Sequence, residues 1–184
     1  MMVNNEMPHL EFLLLSHANP IPASVFNALG KMPNLSQYSL LGCAFNSCSM
    51  KKCLELCEER SKTGNSLSKL ELAEACQGIN HGIINAASSI RSLTWLDLHY
   101  YEEIQDSAKV LLENVAKPPL LQHIKLSHME MSLADLLVLR TCSSLRYVEL
   151  DKNYELAPVD IKMSAFPSNV KVVYRQTTYP RTIS

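Results

Sequence analysis

Hydrophobic and polar residues alternate in a short stretch that recurs along the chain. Residues 92–101 read SLTWLDLHYY and contain the only tryptophan. Side chains of a β-strand switch faces at every residue. If Leu96 and Leu98 point into a core, Trp95 and Asp97 therefore point away from it. The pattern predicts a strand with one apolar face and one face that carries an aromatic ring beside a carboxylate.

The leucine pattern of this strand occurs seven times, and the seventh copy is the weakest. The copies begin at residues 10, 35, 67, 93, 121, 145 and 170, so successive spacings are 25, 32, 26, 28, 24 and 25 residues. Self-similarity with a period of about 20 to 50 residues is typical of a solenoid or array. We therefore predict one repetitive domain over residues 1–184, in which residues 176–184 form a tail.

The segments between the strand copies carry apolar residues at helical spacing. In segment 46–64, for example, Cys53 and Cys57 lie on one stripe, and Gly64 is a typical residue just after a helix end. Two prolines after Asn153 predict an irregular connection or a single short turn there. We predict helices over residues 22–32, 46–64, 80–90, 103–116 and 131–142.

A strand, a turn, a helix and a return thus form the repeating unit. From Leu10 to about Tyr174 this unit resembles the leucine-rich repeat family, whose pattern is L-x-x-L-x-L-x-x-N/C-x-L. Six consecutive matches carry the resemblance, and the helical returns resemble intracellular ribonuclease-inhibitor-like members. The resemblance implies an α/β solenoid of about six to seven repeats, with a curved parallel sheet on the concave side and helices on the convex side.

The sequence matches the repeat pattern less well at the Asn/Cys position. Cys43 and Asn153 fit it, and the resemblance implies that Cys43 bonds to the turn backbone there. Four copies depart from the pattern at this position, with Ala18, Ala75, Tyr101 and Met129.

A flat parallel sheet covered by helices on both faces is the alternative fold, because it also alternates strands and helices. Fully buried parallel strands read as continuous apolar runs. Only the first copy, LEFLLL at residues 10–15, reads in this way. The alternation in the other copies favours a sheet with one bare face.

Residues between the leucines form columns on this bare face, because neighbouring strands lie ~4.8 Å apart. The first predicted column contains Phe12, Gln37, Lys69, Trp95, His123, Tyr147 and Val172. The second contains Leu14, Ser39, Glu71, Asp97, Lys125, Glu149 and Tyr174. Aromatic residues ringed by charge are typical of protein-binding hot spots.

We therefore predict a protein-binding surface on the bare face. One alternative is that Trp95 lies over neighbouring stems such as that of Lys69 and protects the sheet. Another is that a terminal segment or a long loop covers it. The predicted partner-binding residues are Phe12, Leu14, Lys69, Glu71, Trp95, Asp97, His99, His123, Lys125, Tyr147 and Glu149.

Composition narrows the partner class. The chain has 184 residues, 47% hydrophobic and 19% charged, with a formal net charge of −1. The chain contains no long run of like charge. Its composition therefore does not indicate nucleic acid or an anionic membrane as a partner. We expect no signal peptide or membrane span, and an intracellular protein, cytoplasmic or nuclear, with reduced thiols.

Cysteine spacing does not match a metal site. Cys43, Cys48, Cys53 and Cys57 are spaced C-x4-C-x4-C-x3-C, whereas zinc sites use closer pairs. We interpret all four as buried structural thiols. Nucleotide-binding and hydrolase motifs do not occur. We expect no metal, no cofactor and no catalytic activity.

The expected function is non-catalytic protein recognition or scaffolding. Three narrower roles remain open: the substrate-recognition part of an F-box ubiquitin-ligase adaptor, the ligand-sensing array of an immune-receptor-like protein, and a structural subunit of a large assembly. The first two would need a domain upstream of Met1. The first strand, with Phe12 and Leu14 on its exposed face, predicts an end-on contact with a partner, or a longer chain.

Overall fold

Seven five-residue strands alternate with helices in the computed structural model, which describes residues 7, 9–63, 67–73, 81–99, 108–129, 131–153 and 166–175. The strands are β1 (Phe12–Ser16), β2 (Gln37–Leu41), β3 (Lys69–Ala73), β4 (Trp95–His99), β5 (His123–Ser127), β6 (Tyr147–Asp151) and β7 (Lys171–Arg175). The helices are α1 (Ala23–Gly30), α2 (Ser47–Thr63), α3 (His81–Ser88), α4 (Ala108–Val115) and α5 (Leu133–Leu136), which continues as a 3-10 helix over Leu137–Thr141.

All seven strands lie parallel in one open sheet, in the order of the sequence from β1 to β7. Each described helix contacts the next one along the chain, from α1 to α5. This α/β architecture is compatible with a solenoid. The predicted alternation of strands and helices around a parallel sheet is confirmed.

One apolar core joins the helices to one face of the sheet. Leu96 and Leu98 are fully buried in it, together with Ile83 from α3 and Leu112 from α4. Apolar residues also occur at the alternate strand positions, among them Phe12, Leu14, Leu41 and Val173, and these four do not belong to this core. The strand faces therefore agree with the prediction from alternation, and the second face is called the open face below.

A backbone hydrogen bond recurs at the turn before the strands. The first leucine of a copy donates its N–H to the carbonyl three residues earlier, as in Leu93 to Ile90 at 3.2 Å and Leu145 to Cys142 at 3.1 Å. Val170 makes the same bond to Pro167 at 2.9 Å. The copies recognised in the sequence thus share one local backbone geometry.

A left-handed residue follows several strands. His17, Gly42, His128 and Lys152 stand directly after β1, β2, β5 and β6, and their φ angles are 54°, 58°, 55° and 54°. This conformation is costly for residues with a Cβ and recurs only where the surrounding structure imposes it. The chain therefore leaves successive strands through the same turn.

The residue after this turn bonds to backbone carbonyls, as predicted for Cys43. Its Sγ lies 3.5 Å from the carbonyl oxygens of Leu15 and Leu41. Asn153 occupies the equivalent place after β6 and is fully buried. Its amide donates to the Leu126 carbonyl at 3.0 Å.

Hydroxyl groups connect adjacent copies just before β2, β3 and β4, which the sequence did not predict. Ser36 donates to the carbonyl of Glu11 at 3.3 Å, Ser68 to that of Ser36 at 3.2 Å, and Thr94 to that of Ser68 at 3.0 Å. Each hydroxyl therefore bonds to the preceding copy, just before the first residue of the strand.

The predicted columns are wrong at the seventh strand. Tyr147 pairs with Lys171 rather than with Val172, and Glu149 pairs with Val173 rather than with Tyr174. Val170 keeps the turn position of the earlier leucines, but the copy has one residue fewer between that turn and the strand. A shift of one residue exchanges the faces of a strand, so the predicted column ends belong to the core side.

Helix lengths also differ from the prediction in the fifth helix. Residues 131–142 were predicted as one helix, but the α-helical part spans only Leu133–Leu136 before the 3-10 helix. The copies at 121 and 145 have the shortest spacing, and a 3-10 helix rises ~2.0 Å per residue against ~1.5 Å for an α-helix. The 3-10 helix therefore spans the distance back to the next strand with fewer residues. Residues 103–107 of the fourth predicted helix lie outside the described residues.

Among the described residues, no helix has both the length and the hydrophobicity needed to cross a membrane.

Candidate binding surface

Three aromatic rings stack on the open face at the first positions of β4, β5 and β6. The ring centroids of Trp95 and His123 are 3.4 Å apart at an interplanar angle of 12°, and those of His123 and Tyr147 are 4.3 Å apart at 25°. The Nζ of Lys69 lies 4.8 Å from the Trp95 centroid, and that of Lys171 lies 5.6 Å from the Tyr147 centroid. These five side chains are called the aromatic ladder below.

The parallel register causes this stacking. Equivalent residues of adjacent strands face each other directly, as Lys69, Trp95, His123 and Tyr147 do. The ~4.8 Å strand spacing is close to the contact distance of aromatic rings. A lysine at each end adds a cation–π contact. Trp95 lies between Lys69 and His123, as the predicted column required, and the rings are half-buried.

Ion pairs cover the neighbouring column. Lys69 bonds Glu71 at 2.8 Å and Lys125 bonds Asp97 at 3.2 Å. Acidic and basic side chains on this part of the face therefore compensate one another.

The carboxylate of Asp97 is buried, although alternation places it on the open face. Its exposed fraction is 5%, and its register partners are Glu71 and Lys125. The sequence interpretation placed it in the open, and that part was wrong. The physical reason is lateral crowding, because longer side chains on both adjacent strands and the neighbouring Trp95 cover a short side chain in the middle of the sheet.

Burial also changes the chemistry of this carboxyl group. It raises the pKa of Asp97 above its ordinary value, while the charge and hydrogen bond of Lys125 act in the opposite direction. One carboxylate oxygen, Oδ1, is buried without a hydrogen-bond partner among the described residues. The Lys125 ion pair therefore compensates only part of the desolvation of Asp97.

His123 is a neutral ring in the ladder near pH 7. Burial, followed by the charges of Lys69 and Lys125, lowers the pKa of His123 to about 4. Its Nε2 and the Nε1 of Trp95 are buried without a hydrogen-bond partner within the described part of the chain. The ladder therefore combines tight ring packing with unsatisfied polar atoms.

Acidification is expected to lower the stability of the protein through His123. The folded pKa of about 4 lies below the ordinary 6.5, so the unfolded chain binds the proton first. The free energy of unfolding should therefore fall as the pH drops from 6.5 to 4. The variant His123→Phe keeps a ring and removes this titration, so urea unfolding across this window should show a flatter curve than the wild type.

Other titrating groups are common to both proteins in that comparison. The pKa values of His99 and His128 are lowered, chiefly by burial, and that of Asp97 is raised. Asp97 acts in the opposite direction to the histidines, and the difference between wild type and His123→Phe isolates the ladder. Equal slopes for the two proteins would contradict the assignment.

A second histidine contact lies at the end of β4. The rings of His99 and His128 have centroids 4.5 Å apart at 40°. His128 was not among the predicted site residues, because it follows β5 and leaves the alternating pattern there. The left-handed turn brings its ring to His99.

The predicted site residues therefore fall into three groups. Phe12 and Leu14 lie apart from the ladder on β1, separated from β3 by Gln37 and Ser39 of β2. His99 lies at the strand end with His128. The other predicted residues are contiguous on β3 to β6: Lys69, Glu71, Trp95, Asp97, His123, Lys125, Tyr147 and Glu149.

The cysteine interpretation needs one correction. Cys43, Cys53 and Cys57 are buried, but Cys48 is exposed near the start of α2. It lies on the solvent side of the first helical turn, a position that sequence spacing did not distinguish. No group of three His, Cys, Asp or Glu side chains with metal-binding geometry occurs among the described residues.

No model of a known protein family matches the sequence, and no curated protein sequence is significantly similar to it. The class of this protein is therefore described from its fold and its open face alone. It is an α/β protein with a seven-stranded open parallel sheet, compatible with a solenoid, whose open face carries the aromatic ladder.

Proposed function

We propose that this chain is a leucine-rich repeat domain of the ribonuclease-inhibitor-like type that binds a protein partner without catalysis. The open face is the proposed binding surface and corresponds to the concave side of such a solenoid. The observation that carries the proposal is the aromatic ladder at the middle of the sheet, with Trp95 and Tyr147.

The recurring backbone geometry supports the family assignment. The same turn bond precedes successive strands, a left-handed residue follows them, and Cys43 and Asn153 bond to backbone carbonyls at the Asn/Cys position. A repeat of this kind buries its apolar face only by stacking on its neighbours. The continuous core agrees with that requirement.

The chemistry of the ladder supports protein recognition. Tryptophan and tyrosine are enriched among binding hot spots, because their large rings lose little conformational entropy on binding. Stacking fixes the rings of Trp95, His123 and Tyr147 before any partner arrives, which reduces that cost further. The flanking ion pairs provide a polar rim of balanced charge. A partner that combines apolar groups with both signs of charge fits this surface best.

The proposed site of action is inside the cell, in the cytoplasm or nucleus. Five cysteines of the described residues are free thiols, which suits a reducing compartment.

Replacing Trp95 by alanine is the direct test. We expect affinity for the partner to fall by about 2 kcal/mol or more, because a central aromatic contact is lost. Folding should survive, since the loss of one stacked pair and one cation–π contact costs on the order of 1–2 kcal/mol. Partners recovered from cell extract by the wild type would be identified by mass spectrometry, and their affinities for the wild type and the variant measured by calorimetry.

Matched variants separate binding from stability. Trp95→Phe keeps a ring in the ladder and should retain much of the affinity, whereas Tyr147→Ala should lose it. Val110→Ala, on an exposed position of α4, is the control for the helical side and should bind normally. A partner that binds Trp95→Ala and Tyr147→Ala as tightly as the wild type, or that is lost with Val110→Ala instead, would exclude the open face as its site.

A further inference from the structure

The polar groups of the aromatic ladder are not equally accessible to a partner. The Nε1 of Trp95 and the Nε2 of His123 are buried, so they offer almost no surface to a ligand. The ammonium group of Lys69 lies 2.8 Å from the carboxylate of Glu71. The ladder therefore presents ring surface along most of its length, and its accessible charge lies at one end, on Lys171.

Lys171 is an exposed cation at this end of the ladder. Its ammonium group lies 5.6 Å from the ring centroid of Tyr147, its register partner on β6. It makes no ion pair with any residue that the structure describes. An ammonium group has three donors, and contact with one ring leaves it able to bind a carboxylate.

A second cation lies beside the same ring. Arg146 directly precedes Tyr147 and is exposed. Its guanidinium group donates to the carbonyls of Ser143 at 3.0 Å and Leu145 at 2.8 Å, and within the described part of the chain it pairs with no carboxylate. The β6–β7 end of the ladder therefore carries positive charge without a contacting acidic group among the described residues.

The acidic residues of the neighbouring column are less accessible. Asp97 and Glu149 are buried, and they pair with Lys125 and Arg175 at 3.2 Å and 3.4 Å. A cationic group of a partner would have to displace these side chains to reach a shielded carboxylate. The next open-face acid, Asp151, is the last residue of β6, about 13 Å from the first residue of that strand. The ladder itself thus favours a negative group.

We infer that the partner places a carboxylate side chain against Lys171 and apolar side chains on the neighbouring rings of the ladder. The inference rests on the proposed function and specifies where a negative charge of the partner lies. Lys69 and Lys171 are four strands apart, or ~19 Å at ~4.8 Å per strand. A stripe of this length fits an extended segment of about six residues at ~3.3 Å per residue. The occupant is a linear protein segment with an acidic residue at one end of an apolar stretch.

The acidic and apolar groups of this segment should be adjacent. A carboxylate bound to Lys171 lies next to the Tyr147 ring, because the ammonium group itself contacts that ring. An apolar side chain on the ring excludes water from the ion pair, and charges attract more strongly where the effective dielectric constant is lower. An exposed ion pair alone contributes little. Both parts of the segment are therefore needed for specific binding.

Selection of random linear peptides on the immobilised full chain tests the chemistry of the partner. We expect enriched peptides to carry aspartate or glutamate at one end of an aromatic or aliphatic stretch. One enriched peptide with a single acidic residue would be synthesised with blocked termini, together with a counterpart that has lysine at that position. Calorimetry should show at least ~10-fold weaker binding of the lysine counterpart. Enrichment of basic residues instead, or no enrichment at all, would overturn the inference.

Lys171→Glu is the test variant, because it places a carboxylate where the acid of the peptide binds. Its affinity for the acidic peptide should be at least ~10-fold lower than that of the wild type, and its affinity for the lysine counterpart should be higher. Lys109→Glu is the matched control, since it makes the same charge change on α4 and should bind as the wild type does. Circular dichroism would check that both variants fold. Unchanged binding of the acidic peptide by Lys171→Glu would contradict the inference.

Trp95→Ala separates this inference from the proposed function. If it weakens peptide binding while Lys171→Glu does not, the open face is a binding surface and only the inferred position of the acid is wrong. If neither substitution changes peptide binding, the peptides bind outside the ladder and the inference fails. The proposed function is then decided independently by the partners recovered from cell extract.

Discussion

Leu96→Ala is expected to lower the free energy of unfolding by about 2–5 kcal/mol, and Ile124→Ala by a similar amount. Both side chains are fully buried, on adjacent strands of the inward face. Truncation removes their contacts and leaves a cavity, because a close-packed interior relaxes only in part. Urea unfolding followed by circular dichroism would measure the loss.

Leu14→Ala is the matched control for these two substitutions. It makes the same chemical change on a strand, but on the open face, where Leu14 is about half exposed. Its effect should stay within about 0.5 kcal/mol. If the order were reversed, with Leu14→Ala costing more than Leu96→Ala, the two faces of the sheet would be wrongly assigned.

The damage should also spread along the sheet. Each repeat of an array contacts mainly its neighbours, so weakening β4 removes support from β3 and β5. Amide hydrogen exchange of the Leu96→Ala variant should show lost protection in these strands before β1 and β7. Uniform loss across all strands would instead indicate that the sheet unfolds as a single cooperative unit.

Asn153→Ala is expected to cost about 3 kcal/mol, the second largest effect. The side chain is fully buried and makes three bonds to backbone groups: it donates to Leu126 at 3.0 Å and Asp151 at 3.3 Å, and accepts from Met129 at 2.8 Å. Alanine leaves these backbone groups without their partner, and an unsatisfied buried group costs ~1–3 kcal/mol. Chemical denaturation would measure the difference.

Cys43→Ala is the comparison for that prediction. Cys43 occupies the equivalent place after β2, but its thiol is a weak donor at 3.5 Å from two carbonyls. We expect its removal to cost about 1 kcal/mol, because less hydrogen bonding is lost. If Asn153→Ala cost no more than Cys43→Ala, the asparagine would not be holding the turn.

Tertiary contacts decided the environment of individual residues on the open face. Alternation placed Asp97 there correctly but could not show that it is buried, because its cover comes from residues 26 and 28 positions away, Glu71 and Lys125. The stacking of Trp95 on His123 depends likewise on the strand register. The sequence predicted which residues share the column, but only the packing of adjacent strands shows that their rings stack.

The sequence by itself determined where the strands lie and which side of each strand faces the core, for six of the seven copies. Its leucine period was sufficient because side-chain direction in a strand is a local property of the backbone. The register of β7 was decided by a turn one residue shorter, and the burial of Asp97 by side chains of adjacent strands. The position of β1 at one end of the described sheet likewise depends on strand order. These features arise from contacts between distant parts of the chain, which a local pattern does not contain.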